Sequence, residues 1–197
     1  MKTSLSLFLI LFSASLFASI NPIDLVVQAD PTSHTLTMRT VAPVDDQTTV
    51  QIVDTKGLVL HKAELTAGSY LNTRFQLSAL PVGEYKIVVT DALGKTIQPI
   101  VVNQTGIQAD PALATRAFFP RVKLQEDLLT INYLNSQGSK VNISLSDQVG
   151  NELISDQLPA AKTVQRAYNL EKLPAGHYYV TVSAPEISAY TTRLFVN

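Results

Sequence analysis

Leu80-Pro81-Val82-Gly83-Glu84-Tyr85-Lys86-Ile87-Val88-Val89 is the stretch that decides the fold, because it returns 93 residues later as Leu173-Pro174-Ala175-Gly176-His177-Tyr178-Tyr179-Val180-Thr181-Val182. In both stretches a Pro-x-Gly corner leads into a run with apolar residues at alternate places. That period puts them on one face of a strand. The same shift of 93 brings Asp54-Thr55-Lys56-Gly57 onto Asp147-Gln148-Val149-Gly150, and Phe75-Gln76-Leu77 onto Tyr168-Asn169-Leu170. The shared positions are turn glycines, a proline, a tyrosine and alternate apolar residues, the ones a fold dictates. The period is too long for a solenoid, whose repeats run to roughly 50 residues, so each copy is a whole domain.

Working outward, each copy reads as about seven short strands at the spacing of a sandwich. In copy one they centre near Val26, Thr37, Ile52, Leu60, Phe75, Ile87 and Val101. In copy two they centre near Val122, Thr130, Ile143, Leu153, Tyr168, Val180 and Leu194. The Asp-x-x-Gly segments are expected as hairpin turns, with Gly57 and Gly150 free to take positive φ. In immunoglobulin domains a tyrosine two residues before the second cysteine bonds through its hydroxyl to the chain at a corner between the sheets. Here Tyr85 and Tyr178 stand two before Ile87 and Val180, so Pro81, Gly83 and Tyr85, with Pro174, Gly176 and Tyr178, are expected as structural corners. The fold expected is all-β: two tandem Ig-like (fibronectin III-like) β-sandwiches. Domain one is expected over 21–103, a linker over 104–114 with its Gly106 and Asp110-Pro111, and domain two over 115–197.

The first residues carry a different signal. Met1-Lys2 precedes an apolar run from Leu5 to Phe17, shorter than the roughly 20 residues needed to span a bilayer. It reads as a secretory signal peptide over residues 1–18, cleaved near Ala18. No stable membrane span is expected after processing, and the expected destination is the periplasm, the outer-membrane surface or the medium. The 197 residues hold no cysteine and no tryptophan, with a net charge of −1. Export without disulfides points to a bacterial envelope rather than a eukaryotic secretory route. The lack of basic excess argues against a nucleic-acid partner.

No catalytic, cofactor or metal constellation emerges from the residues. His34, His61 and His177 lack a second ligand at metal spacing, and His177 is expected to face solvent. Asp45-Asp46 and Glu126-Asp127 are adjacent carboxylates in turns, whereas acid–base work needs carboxylates held apart across a cleft. Tyrosines concentrate in copy two. Tyr179 and Tyr190 are expected on neighbouring strands of one surface, either as a cross-strand pair shielding a sheet face or as a binding surface for protein or glycan.

Copy two resembles the C-terminal sorting domain of type IX secretion substrates. The residues that carry the resemblance are Asp147, Gly150, Leu170, Leu173, Pro174, Gly176, Tyr178, Val180 and Val182, closing with Thr192-Arg193-Leu194-Phe195-Val196-Asn197. It covers about 120–197, with a looser echo over 36–102. The resemblance implies delivery to the periplasm and reading of the terminal Ig-like domain by an outer-membrane translocon. The leading functional expectation is a non-catalytic exported protein that binds a protein or glycan, or acts structurally, at the cell envelope, with strand addition at a sheet edge as its mode. The alternative gives copy two the sorting role, with the translocon as partner. An enzyme with a site between the domains is the third and least supported reading.

Overall fold

A computed structural model describes residues 25–44 and 48–197. The signal-peptide expectation and Asp45-Asp46 therefore lie outside the described residues.

Among the described residues seven strands form the sandwich of the first module, and two short strands described below extend one of its two sheets. β1 (Leu25–Ala29), β2 (Thr35–Thr40) and β5 (Asn72–Gln76) form one sheet. The facing sheet runs β4 (Val59–Glu64), β3 (Thr49–Asp54), β6 (Gly83–Asp91) and β7 (Gly94–Val102). The second module repeats this plan. β10 (Arg121–Gln125), β11 (Leu128–Leu134) and β14 (Thr163–Asn169) form its three-stranded sheet. β13 (Glu152–Leu158), β12 (Val141–Asp147), β15 (Gly176–Ala184) and β16 (Ser188–Val196) form its four-stranded one. Three strands on four, in this order, is the fibronectin III-like sandwich, and all fourteen strand centres read from the sequence fall inside these strands.

Alternation builds the two cores. On β6, Tyr85, Ile87 and Val89 point inward and Glu84 and Lys86 outward. On β15 the inward set is Tyr178, Val180, Val182 and Ala184. Ile52, Ile87 and Leu36 in one module, and Leu145, Val180 and Ile131 in the other, are shielded almost completely from solvent. Each such aliphatic contributes roughly 1.5–3 kcal/mol of burial free energy.

Matching hydrogen bonds close the turns of both copies. Leu77 N–H donates to the His34 carbonyl and Leu170 N–H to the Asp127 carbonyl, positions 93 apart in sequence. The Asp54 carboxylate accepts from the N–H groups of Lys56 and Leu58, and that of Asp147 from Val149 and Asn151. Gly57 and Gly150 sit at φ 84° and 88°, a backbone that a side chain rarely adopts.

The segment expected as a linker is built into the first module. Residues 104–114 contain β8 (Ile107–Gln108), which pairs with β7, and a 3-10 turn over Pro111–Leu113. Ile107 is fully buried in the first core. Gly106 lies so close to Pro31 that a Cβ would fall 2.5 Å from its carbonyl. Gln98 donates from Nε2 to the Asp110 carbonyl and fixes the far end of the segment. The next strand, β9 (Thr115–Phe118), was expected to open the second domain, but it pairs with β7 of the first.

Candidate functional site

Two regions bring functional groups together: the joint around β9 and the β15–β16 hairpin with its flank.

β9 belongs to both modules. Its backbone extends the first module's sheet, with Gly94 opposite Phe118 and Ile97 opposite Thr115. Its Ala117 side chain is buried in the second core. Gly94 is required at the crossing, because a Cβ there would stand 2.1 Å from the Ala117 carbonyl oxygen. Arg116 reaches back to the first module. Its Nη2 donates to both carboxylate oxygens of Asp91 at 2.7 Å, and its Nη1 donates to Thr96 Oγ1. The side chains of this pair are 16% and 3% exposed, so water screens the attraction little. Asp91 also accepts from the N–H groups of Leu93 and Gly94, which leaves its charge well solvated by donors.

On the second module's side, Ser136 Oγ donates to the Arg116 carbonyl and lies 3.0 Å from Glu186 Oε2. Glu186 is buried and also accepts from the Tyr133 hydroxyl and the Gln137 N–H. Burial, and then the hydrogen bond to the Glu186 carboxylate and its charge, push the Tyr133 hydroxyl well above the usual phenol range. This network fastens the loop after β11 to the β15–β16 turn, with β9 alongside.

The corner residues take matching places in the two modules. The Tyr85 hydroxyl donates to the Pro81 carbonyl and the Tyr178 hydroxyl to the Pro174 carbonyl, each at 2.8 Å. Gly83 lies against the Tyr85 ring, and Gly176, its counterpart, opens β15.

Tyr179 and Tyr190 do not share a surface. Tyr190 stands opposite Val182 and therefore faces inward, where its ring stacks on Phe119 with centroids 5.0 Å apart. Tyr179 stands opposite Arg193 on the outer face. The expectation fails on parity: Tyr190 is an even number of residues from buried Leu194 and Val196, while Tyr179 is one residue from buried Tyr178 and Val180. What gathers on the outer face is His177, Tyr179, Arg193 and Phe195. His177 accepts from Arg193 Nε at 3.3 Å and meets the Phe195 ring edge-on.

The other histidines are far from it. The His34 ring lies 2.9 Å from the Asn103 carbonyl, and His61 packs edge-on against Phe75. Among the described residues no group of three His, Asp or Glu side chains converges as a metal site. Glu126-Asp127 sit in the exposed turn between β10 and β11. Among the described residues no helix is long and apolar enough to cross a membrane.

The modules differ at one seam. In the second, the Tyr168 hydroxyl and Arg166 Nε both donate to Asp156 across the gap between β13 and β14. Burial, and then the Asp156 carboxylate, push the Tyr168 hydroxyl up to about 12. In the first module the corresponding residues are Phe75, Thr73 and Ala63. There His61 meets Phe75 edge-on across the seam, beside an apolar cleft of about 200 Å³ that Leu60 and Leu80 also line.

The geometry defines a tandem Ig-like β-sandwich protein whose modules share a strand. The chain belongs to the secretion system C-terminal sorting domain family, whose model matches residues 30–103 and again 125–197. No curated protein matches. Among solved structures it is similar to the BSP domain of a biofilm-associated protein, at 14% identity over 87% of this chain and 29% of that one, with a TM-score of 0.30. It spans under a third of that relative's length. It is also similar to a two-domain fibronectin type III segment of chicken tenascin, at 18% identity over 89% and 99% of the two chains and a TM-score of 0.30. A third is the 47-kilodalton lipoprotein Tp47 of Treponema pallidum, at 10% identity over 85% and 49%, with a TM-score of 0.27.

Proposed function

We propose that the chain is an exported, non-catalytic β-sandwich protein of the bacterial cell envelope, and that its second module is the element read by a type IX translocon for delivery to the surface. The observation that carries this reading is the family match over 125–197, which spans the corner, β15 and β16 together. The side chains there support recognition rather than chemistry. The hairpin presents His177, Tyr179, Arg193 and Phe195 on a face otherwise made of small hydroxyl side chains such as Ser144, Thr181 and Thr191. The first module, matched by the same family model over 30–103, is then a companion fused through β9 rather than a detachable cargo.

A reporter placed between the signal peptide and Asn21, with residues 21–197 behind it, tests the reading in a type IX-competent host and in the same host lacking the translocon. The expected result is a reporter exposed on the surface of the first and confined to the periplasm of the second. Periplasmic retention in both hosts would sink it.

A further inference from the structure

β16 is a nine-residue edge of the second module's four-stranded sheet with little in it to block pairing. Its register with β15 runs unbroken from Gly176 opposite Val196 to Ala184 opposite Ser188. It has no proline and a single charge, Arg193. Edges that must stay unpaired carry bulges, charges or proline. The opposite edges do so: β4 bears Lys62 and Glu64, β13 bears Glu152 and Asp156, and the pairing of each with its neighbour shifts register once. In the first module the edge equivalent to β16 is β7, which is interrupted by Pro99 and covered by β8 and β9. This sheet position therefore takes added strands within the molecule itself.

A groove of about 380 Å³ runs beside β16 on its inward side. Phe119, Val122 and Tyr190 line it with Thr192 and Arg121, and Leu93 of the first module is on one wall. No carboxylate lines the groove. Arg121 is exposed and makes no ion pair among the described residues. An added strand directs every second side chain to this side of the sheet.

We propose that the β16 edge and this groove bind an extended polypeptide segment of a partner protein. The segment adds antiparallel, as every strand pair here does, sets apolar side chains between Phe119, Val122 and Tyr190, and brings a carboxylate to Arg121. In its biological setting this rests on the sorting reading, since the translocon would supply the segment. The binding itself is measurable without secretion.

The probe is a fluorescein-labelled, end-blocked nine-residue peptide alternating threonine with valine, one valine replaced by glutamate. It is titrated with residues 21–197 and followed by anisotropy. Saturable binding is expected, lost when alternate peptide amides on its pairing edge are N-methylated. Binding is expected to weaken about tenfold in Arg121→Glu, the loss of one charge-assisted contact. A lysine in place of the peptide glutamate should weaken binding to the natural chain and restore it to Arg121→Glu. Absence of saturable binding, binding indifferent to N-methylation and to Arg121→Glu, or a chain already dimeric through this edge by light scattering would each overturn the proposal. Binding without surface delivery of the reporter defeats the sorting reading alone, and delivery without binding defeats this one alone.

Discussion

The Tyr85 and Tyr178 hydroxyls each have one protein partner, the carbonyl four residues upstream. A neutral hydrogen bond of this kind contributes about 1 kcal/mol net. Tyr85→Phe and Tyr178→Phe should therefore each lower unfolding free energy by about 1 kcal/mol in urea titrations, with the m-value unchanged. Gly94 is under a harder constraint, because any Cβ meets the Ala117 carbonyl. Gly94→Ala should cost about 1–3 kcal/mol, the range for forced repacking, and should speed amide exchange at Ala117. At this scale much was legible in the sequence, because Pro-x-Gly-x-Tyr recurs with its alternating run intact. For Tyr190 the signal is present in the sequence: counting by twos back from the buried end of β16 places it on the inner face. Arg116 gave no such signal. Its partner Asp91 is 25 residues away, and an isolated arginine beside a presumed linker looks like a solvated charge.

At the scale of elements, β8 and β9 escaped the sequence reading. Two residues and four residues are too few for alternation to register, and their neighbours Gly106, Asp110 and Pro111 have the composition of a turn. Tertiary contact decides them: Ile107 fills the first core, and Ala117 fills the second from a strand paired to the first. Asp91→Ala would leave the Arg116 guanidinium buried without its countercharge, and losing one partner of such a pair costs about 3 kcal/mol. Hydrogen exchange should then show β9 opening while β2 and β11 stay protected. The β13–β14 seam has its own pH signature. The Tyr168 hydroxyl is held at about 12, against 10.0 for a free phenol. Between those values the unfolded chain loses this proton and the folded one keeps it, so stability falls as pH rises from about 10 to about 12. Tyr168→Phe should lessen that slope in thermal melts across the interval, the part due to Tyr133 remaining, and a slope unchanged by the substitution would contradict the assignment.

At the scale of the whole molecule, a strand that belongs to one sheet and to the other core couples the two modules. Calorimetry of residues 21–197 should show one unfolding transition, as cooperative units do, and Asp91→Ala should split it in two. Duplication made the architecture readable from the sequence, since each copy checks the other. The asymmetry between copies was not readable, because exchanges such as Ala63 for Asp156 and Phe75 for Tyr168 change what bridges the seam without altering the strand pattern.

We propose that the second module directs surface delivery. Two fusions test it directly in one competent host: a reporter ahead of residues 21–197, and the same reporter ahead of 21–118, which keeps β9 in place to cover β7. The measurement is the fraction of reporter cut by protease added to intact cells. Cutting with 21–197 and protection with 21–118 is expected; equal cutting, or equal protection, would show that the second module does not direct delivery.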